Sequence, residues 1–112
     1  MLDFAALERV AQYDDGYTKE HPTVALLWEV IHELSLEMQK KFLVFCTGSD
    51  RCPIKGLGNL NFVISRNTVD ECRLPSAHTC FNHLLLPEYK DKQKLKEQLL
   101  KAISDTEGFH II

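Results

Sequence analysis

The chain has 112 residues, enough for one domain with a modest core and too few for a second folded unit. Hydrophobic residues make up 45% and charged residues 26% of the sequence, a globular composition that excludes a fibrous or disordered chain. The net charge of -3 is mixed in sign and leaves no basic face for nucleic acid, and no apolar run approaches the roughly 18 residues of a membrane helix.

Three helical patterns occupy the first 48 residues. Residues 3–12 carry apolar side chains at helical spacing, and the stretch YDDGY that follows predicts a turn. A second helix is predicted from Pro22. Its apolar stripe comprises Val24, Leu27, Trp28, Ile31 and Leu34. Ser35 has the chemistry of an N-cap for a third helix, which Gly48 ends.

Short strands are predicted in the second half of the chain. The stretch NLNFVISR alternates Leu60, Phe62 and Ile64 with polar or smaller side chains, as in a half-buried strand. SAHTC and HLLL are further short strands, and Asp91 caps a last helix, KQKLKEQLLKAIS. This order predicts an α+β fold in which a small sheet of about four short strands packs against helices.

The four cysteines are Cys46, Cys52, Cys72 and Cys80. Their irregular spacing and the absence of a secretory pattern favour reduced thiols and an intracellular chain. We expect a cytoplasmic location, with the nucleus as a second one. Neither Cys80-x-x-His83 nor Cys46-x5-Cys52 matches a common zinc frame, so we expect no metal. No cofactor is expected either.

Cys80 is the thiol with a plausible reactive setting. If residues 76–80 are extended, His78 and Cys80 lie on one face with their backbones roughly 6.6 Å apart. A thiol with a reference pKa of about 8.5 needs help to become the nucleophilic thiolate, and His78 or His83 is placed to give it. Thr79 and Asn82 bring hydrogen-bond donors for an oxyanion.

Cys80 and its neighbours also have structural interpretations that involve no catalysis. A cysteine next to Phe81 more often packs in a core, surface histidines are common, and Asn82 suits a turn equally well. Cys46 lies on the apolar face of its helix and is expected in the core, whereas Cys52 and Cys72 have no adjacent base. The residues alone leave catalysis and packing open for Cys80.

Longer motifs resemble a known family. Three stretches resemble, in this order, the C-terminal lobe of HECT-type ubiquitin-protein ligases: FLVFCTGSDRCPIKGLGNL, RLPSAHTCFNHLLLPEY and KLKEQLLKAISDTEGFHII. DGYT, the loop from TGSDR to the proline, and the stretch GLG followed by leucine resemble the branch typified by the E6-associated protein. The resemblance implies that Cys80 accepts ubiquitin as a thioester. It also implies supporting roles for His78, Thr79, Phe81 and Asn82 near the nucleophile.

Other roles follow from the resemblance more weakly. Phe109, four places from the end, would position the lobe for ligation, and Leu57 and Leu60 would contact ubiquitin, with loop and strand packing as the alternative. Arg51 is expected to orient its loop. The sequence does not identify the general base for the attack by a lysine amine. The candidates are His78, an acidic group and the terminal carboxylate.

The resemblance also implies partners and boundaries. Residues 1–14 are predicted as a hinge or the end of a missing N-terminal lobe, and residues 15–112 as the lobe with the catalytic cysteine. The implied partners are ubiquitin, a conjugating enzyme bound through the missing lobe, and protein substrates. We expect a monomeric lobe that loads poorly by itself. A non-catalytic ubiquitin- or protein-binding module, or a thiol redox or hydrolase domain, is the alternative.

Overall fold

The computed structural model describes residues 4–48, 61–66, 68–78 and 82–104. Four helices and four three-residue strands form an α+β domain, which confirms the predicted fold class. In chain order the elements are α1 (Phe4–Val10), β1 (Gln12–Asp14), α2 (Pro22–Glu33), α3 (Leu36–Thr47), β2 (Val63–Ser65), β3 (Ser76–His78), β4 (His83–Leu85) and α4 (Lys92–Ser104).

Local capping fixes the ends of the helices. Ser35 Oγ accepts a hydrogen bond from the Met38 amide at 3.3 Å and begins α3, and Gly48, with φ of 82°, ends it in the left-handed conformation that glycine adopts without strain. Asp91 Oδ2 likewise accepts from the Lys94 amide at 3.0 Å and caps α4. These predictions are confirmed because capping depends on neighbouring residues alone.

The strands form one mixed sheet in the order β1-β2-β4-β3. β1, β2 and β4 are parallel, and β3 pairs with β4 in the antiparallel sense. Directly paired residues share a face of the sheet. Ile64 and its partner Leu84 are fully buried on one side, which we call the core face.

Strand β1 was not predicted. The sequence pattern indicated a helix followed directly by a turn, whereas Gln12–Asp14 pair with Val63–Ser65 of β2. The turn itself is present immediately afterwards, where Asp15 and Gly16 both have positive φ. A three-residue strand with little apolar content is defined by pairing with a strand that is distant in the sequence. A local sequence pattern therefore does not reveal it.

Residues 4–14 share the hydrophobic core. Phe4 and Leu7 of α1 are buried, and the Phe4 ring lies 6.1 Å from that of Phe42 between ring centroids. Phe42 in turn contacts Phe62, at 6.4 Å. The boundary predicted at residue 14 stays a prediction, and these contacts place residues 4–14 against the same core as α3 and β2.

The segment LLLPEY anchors the sheet to the helices. Leu84, Leu86 and Tyr89 are fully buried. The Tyr17 hydroxyl donates to the Leu86 carbonyl at 2.8 Å, and the Thr23 hydroxyl donates to the Tyr89 carbonyl at 2.7 Å. Burial, more than the nearby charge of Glu88, raises the pKa of Tyr17, so its hydroxyl stays a neutral donor.

The carboxylate of Glu88 also connects this segment to neighbouring parts of the fold. One oxygen of Glu88 lies 3.1 Å from His21 Nε2 and the other 3.3 Å from Arg66 Nη1. The same His21 ring accepts the Thr23 amide through Nδ1 at 3.1 Å and so caps the start of α2. The segment after β4 is thereby joined to the start of α2 and to the end of β2.

Candidate active site

The hairpin formed by β3 and β4 carries the predicted nucleophile in its connection. His78 is the last residue of β3 and pairs directly with His83, the first residue of β4. Residues 79–82 connect the two strands, and Cys80 is the second of these four residues. Thr79, Cys80 and Phe81 lie outside the described residues, so the predicted strand SAHTC is described only to His78.

The paired histidines share a face of the sheet, opposite the core face, which we call the histidine face. Their ring centroids are 5.9 Å apart with the planes tilted by 56°. His78 is exposed on an edge strand, and His83 is half-buried next to the central strand β2. The structure therefore brings together two imidazoles that the sequence separates by five positions.

Ser65 is the polar partner of this pair. Its side chain lies on the histidine face, and Oγ is 2.6 Å from His83 Nε2. Ser65 is completely buried. The alternation in NLNFVISR placed Ser65 opposite the apolar positions, and only the β2–β4 register shows that it is a diagonal neighbour of His83.

Asn82 ends the connection in a turn. It has φ of 51°, a left-handed conformation that asparagine tolerates better than most residues. Its carbonyl accepts a hydrogen bond from the Val63 amide at 3.1 Å, which ties the end of the connection to β2. The backbone conformation of Asn82 thus agrees with the interpretation of this residue as part of a turn. A role for its side-chain amide near the nucleophile stays a prediction.

Asn82 variants separate these two roles. We expect Asn82→Ala to lower the free energy of unfolding by about 1 kcal/mol, because alanine is strained at this φ, and Asn82→Gly to leave it nearly unchanged. Urea denaturation of both variants measures the difference. Equal destabilisation by glycine and alanine would contradict the backbone role and implicate the side-chain amide.

Of the three cysteines other than Cys80, Cys46 and Cys72 lie within the described part of the chain. Cys46 is buried in α3, as predicted, and burial raises the pKa of its thiol well above the ordinary value. Cys72 is exposed in a turn where its amide donates to Asp70 Oδ1 at 2.9 Å. Cys52 lies outside the described residues.

Several predicted residues fall outside the part of the chain that the structure describes. They are Arg51, Leu57, Leu60 and Phe109, in addition to Thr79, Cys80 and Phe81. Within the described ranges, no group of three or more histidine, cysteine, aspartate or glutamate side chains is arranged to hold a metal ion. No helix in those ranges has the length and apolar character required to cross a membrane.

Comparison with known protein families identifies the family to which the chain belongs. The family model described as HECT-domain (ubiquitin-transferase) matches residues 1–112, the whole chain. The chain therefore belongs to the HECT-domain family. Its expected placement in the C-terminal lobe fits this match.

Curated relatives agree with the family. The chain is 52% identical over 108 residues to the mouse (Mus musculus) protein "Probable E3 ubiquitin-protein ligase HECTD2", covering 96% of this chain and 14% of that protein. It is 48% identical over 110 residues to human (Homo sapiens) "Probable E3 ubiquitin-protein ligase HERC4", covering 98% and 10%. "Probable E3 ubiquitin-protein ligase HUL4" of Eremothecium gossypii is 41% identical over 108 residues, covering 96% and 13%. The chain thus spans a small fraction of each relative.

Proposed function

We propose that this chain is the catalytic C-terminal lobe of a HECT ubiquitin ligase and that Cys80 carries ubiquitin as a thioester. The proposal is supported by the motif LPSAHTCFN in a HECT-family chain. In the sequence, Cys80 falls between His78 and His83, which pair as the ends of two adjacent strands. The relatives named as E3 ubiquitin-protein ligases support the same activity.

The first step is an exchange between two thioesters. The Cys80 thiolate attacks the carbonyl carbon that joins ubiquitin to the cysteine of the conjugating enzyme. A new C–S bond forms, and the enzyme's cysteine leaves as a thiolate. Because one thioester replaces another, the step is nearly isoenergetic and depends on a thiolate in the right place.

The second step passes ubiquitin to a lysine. The neutral amine attacks the thioester carbonyl, the amine proton passes to a base, and Cys80 leaves as a thiolate. The tetrahedral intermediate carries an oxyanion that hydrogen-bond donors stabilise. The Thr79 hydroxyl and the Asn82 amide are the proposed donors, and Phe81 supports the loop.

Residues beyond the hairpin are assigned by resemblance. Phe109 positions the lobe for ligation, and Leu57 and Leu60 contact ubiquitin. The conjugating enzyme binds through a larger N-terminal lobe, and the substrate is a protein lysine. We place this activity in the cytoplasm and also in the nucleus.

A loading assay tests the proposal. The protein, extended at its N terminus by the larger lobe of the family, is mixed with ubiquitin, activating enzyme, conjugating enzyme and ATP. We expect a covalent ubiquitin adduct that thiol reductant removes. Binding of ubiquitin without an adduct would instead indicate an interaction module, and an adduct that survives reductant would contradict a thioester.

A further inference from the structure

We propose that His78 and His83 form a binding site for a divalent transition-metal ion on the histidine face of the sheet. Imidazole is a preferred ligand of Zn²⁺, Ni²⁺ and Cu²⁺, and two imidazoles on adjacent strands can hold one such ion between them. The inference goes beyond the proposed function. Its ligands are both described residues, and it requires neither the Cys80 thiol nor ubiquitin.

The strand register brings the two rings together. His78 and His83 are direct partners in the antiparallel pair of β3 and β4. The Cβ atoms of such partners are about 4.5–5.5 Å apart, so both side chains rise from neighbouring points on one face. Their ring centroids are 5.9 Å apart, and the ring planes are tilted by 56°.

The separation of the rings suits one shared ion. A metal–nitrogen bond of about 2.1 Å places an ion roughly 3.2 Å from the centre of an imidazole ring. The centres of two rings bound to one ion are then roughly 5.2 Å apart at a tetrahedral angle and roughly 6.4 Å apart in a straight line. The observed 5.9 Å lies between these values. A small rotation of the exposed His78 ring is therefore enough to complete the site.

Ser65 holds the His83 ring in the form that a metal ligand requires. A histidine ligand binds the metal through one ring nitrogen and almost always donates the other N–H to a fixed acceptor, which sets the tautomer and the ring orientation. Ser65 Oγ lies 2.6 Å from His83 Nε2, and Ser65 is completely buried in the central strand β2. With Nε2–H donated to that oxygen, Nδ1 of His83 carries the lone pair that binds the ion.

The pair of histidines is accessible from solvent. His78 is exposed on the edge strand β3, and His83 is half-buried beside β2, so an ion reaches them without opening of the core. In the part of the chain that the structure describes, no third histidine, cysteine, aspartate or glutamate joins them in a metal-binding group. Water molecules therefore fill the remaining positions, and the ion exchanges more readily than one in a four-ligand structural site.

Strand pairing explains why the sequence gave no sign of this site. The expectation that no metal binds rested on ligand spacing along the chain. His78 and His83 match no common spacing, and they meet because β3 and β4 pair. An ion bound to both residues links the two strands, so it should stabilise the folded chain.

The test is titration of the 112-residue chain with Ni²⁺ by isothermal titration calorimetry. The buffer contains no chelator or thiol reductant and is slightly above neutral pH, because metal ligands must be unprotonated. We expect one Ni²⁺ to bind per chain and Mg²⁺, which prefers oxygen ligands, not to bind. Ni²⁺ should also raise the midpoint of thermal unfolding, since it binds the folded hairpin.

Variants identify the ligands. His78→Gln and His83→Gln should each weaken Ni²⁺ binding by more than about tenfold, because each removes one of the two ligand nitrogens. Ser65→Ala should weaken it by about tenfold through loss of the orienting acceptor, and Ser65→Thr, which keeps the hydroxyl, should restore it. His32→Gln is the matched control. It removes an exposed histidine that pairs with Glu8, and it should leave the affinity unchanged.

Full Ni²⁺ affinity in both His78→Gln and His83→Gln, or no binding by the unaltered chain, would overturn the inference. Loss of binding in Cys80→Ala would also overturn it, because a thiol would then take the place of one imidazole. His78 is exposed, so His78→Gln is expected to fold even if His83→Gln does not. The readout involves no thioester, so failure of this inference leaves the proposed function standing.

Discussion

Replacing Cys80 with alanine is expected to abolish the reductant-sensitive ubiquitin adduct. The thioester needs a sulfur nucleophile, and alanine offers no atom that can form the bond. Cys46 is no substitute because it is buried and its thiol pKa is raised. The protein extended by the N-terminal lobe, here called the two-lobe protein, is loaded with ubiquitin and separated on gels with and without reductant. The adduct should be lost completely rather than partially.

Two further variants serve as controls in that assay. Cys72→Ala removes an exposed thiol from a turn and should leave the adduct unchanged. Cys80→Ser should form at most a slow oxyester, which resists reductant because an ester oxygen does not exchange with thiols. An adduct that persists in Cys80→Ala but is lost in Cys72→Ala would contradict the assignment.

Replacing Leu84 with alanine is expected to give the largest loss of stability among single changes in the hairpin. Leu84 is fully buried on the core face, paired with Ile64 on one side and Ala77 on the other. Removing a buried leucine side chain costs roughly 2–5 kcal/mol, through lost burial and the cavity left behind. Urea denaturation should show a lower midpoint with an unchanged slope.

Leu85 is the matched control. It follows Leu84 directly but belongs to the histidine face and is half-buried. Leu85→Ala should cost about 1 kcal/mol or less, since less apolar surface returns to water. A larger loss for Leu85→Ala than for Leu84→Ala would mean that the assignment of faces, and with it the placement of His83, is wrong.

The helices were predictable from the sequence because their determinants are local. Pro22 begins α2, Ser35 caps α3, and Gly48 ends it with the positive φ that glycine permits. The apolar side chains that α4 buries, Leu95, Leu99, Ala102 and Ile103, recur at helical spacing within the predicted stretch KQKLKEQLLKAIS, and Gln98 is buried with them. Each signal lies within a few positions of the feature that it specifies.

The sheet was predictable only in part because its partners are distant in the chain. Strand β1 is three residues long and is defined by pairing with β2, roughly 50 positions later. Separation along the chain also kept the contact between Ser65 and His83 from being predicted. Ser65 and His83 are separated by 18 positions, and their hydrogen bond exists only because β2 and β4 are adjacent in that register.

The candidate site was identified from sequence motifs rather than from the geometry of the structure. Local chemistry left Cys80 undecided between packing and catalysis, and the resemblance favoured catalysis. The structure adds the paired residues His78 and His83, the fixed turn at Asn82 and the buried partner Ser65. The roles of Thr79, Cys80, Phe81, Leu57, Leu60 and Phe109 stay predictions, since these residues lie outside the described ranges.

Mapping the modified cysteine tests the central claim most directly. The two-lobe protein is loaded with ubiquitin, quenched without reductant at low pH, digested with protease and analysed by mass spectrometry. We predict that the ubiquitin remnant lies on the peptide containing Cys80 in essentially all of the adduct. A remnant on Cys46, Cys52 or Cys72, with the Cys80 peptide unmodified, would contradict it.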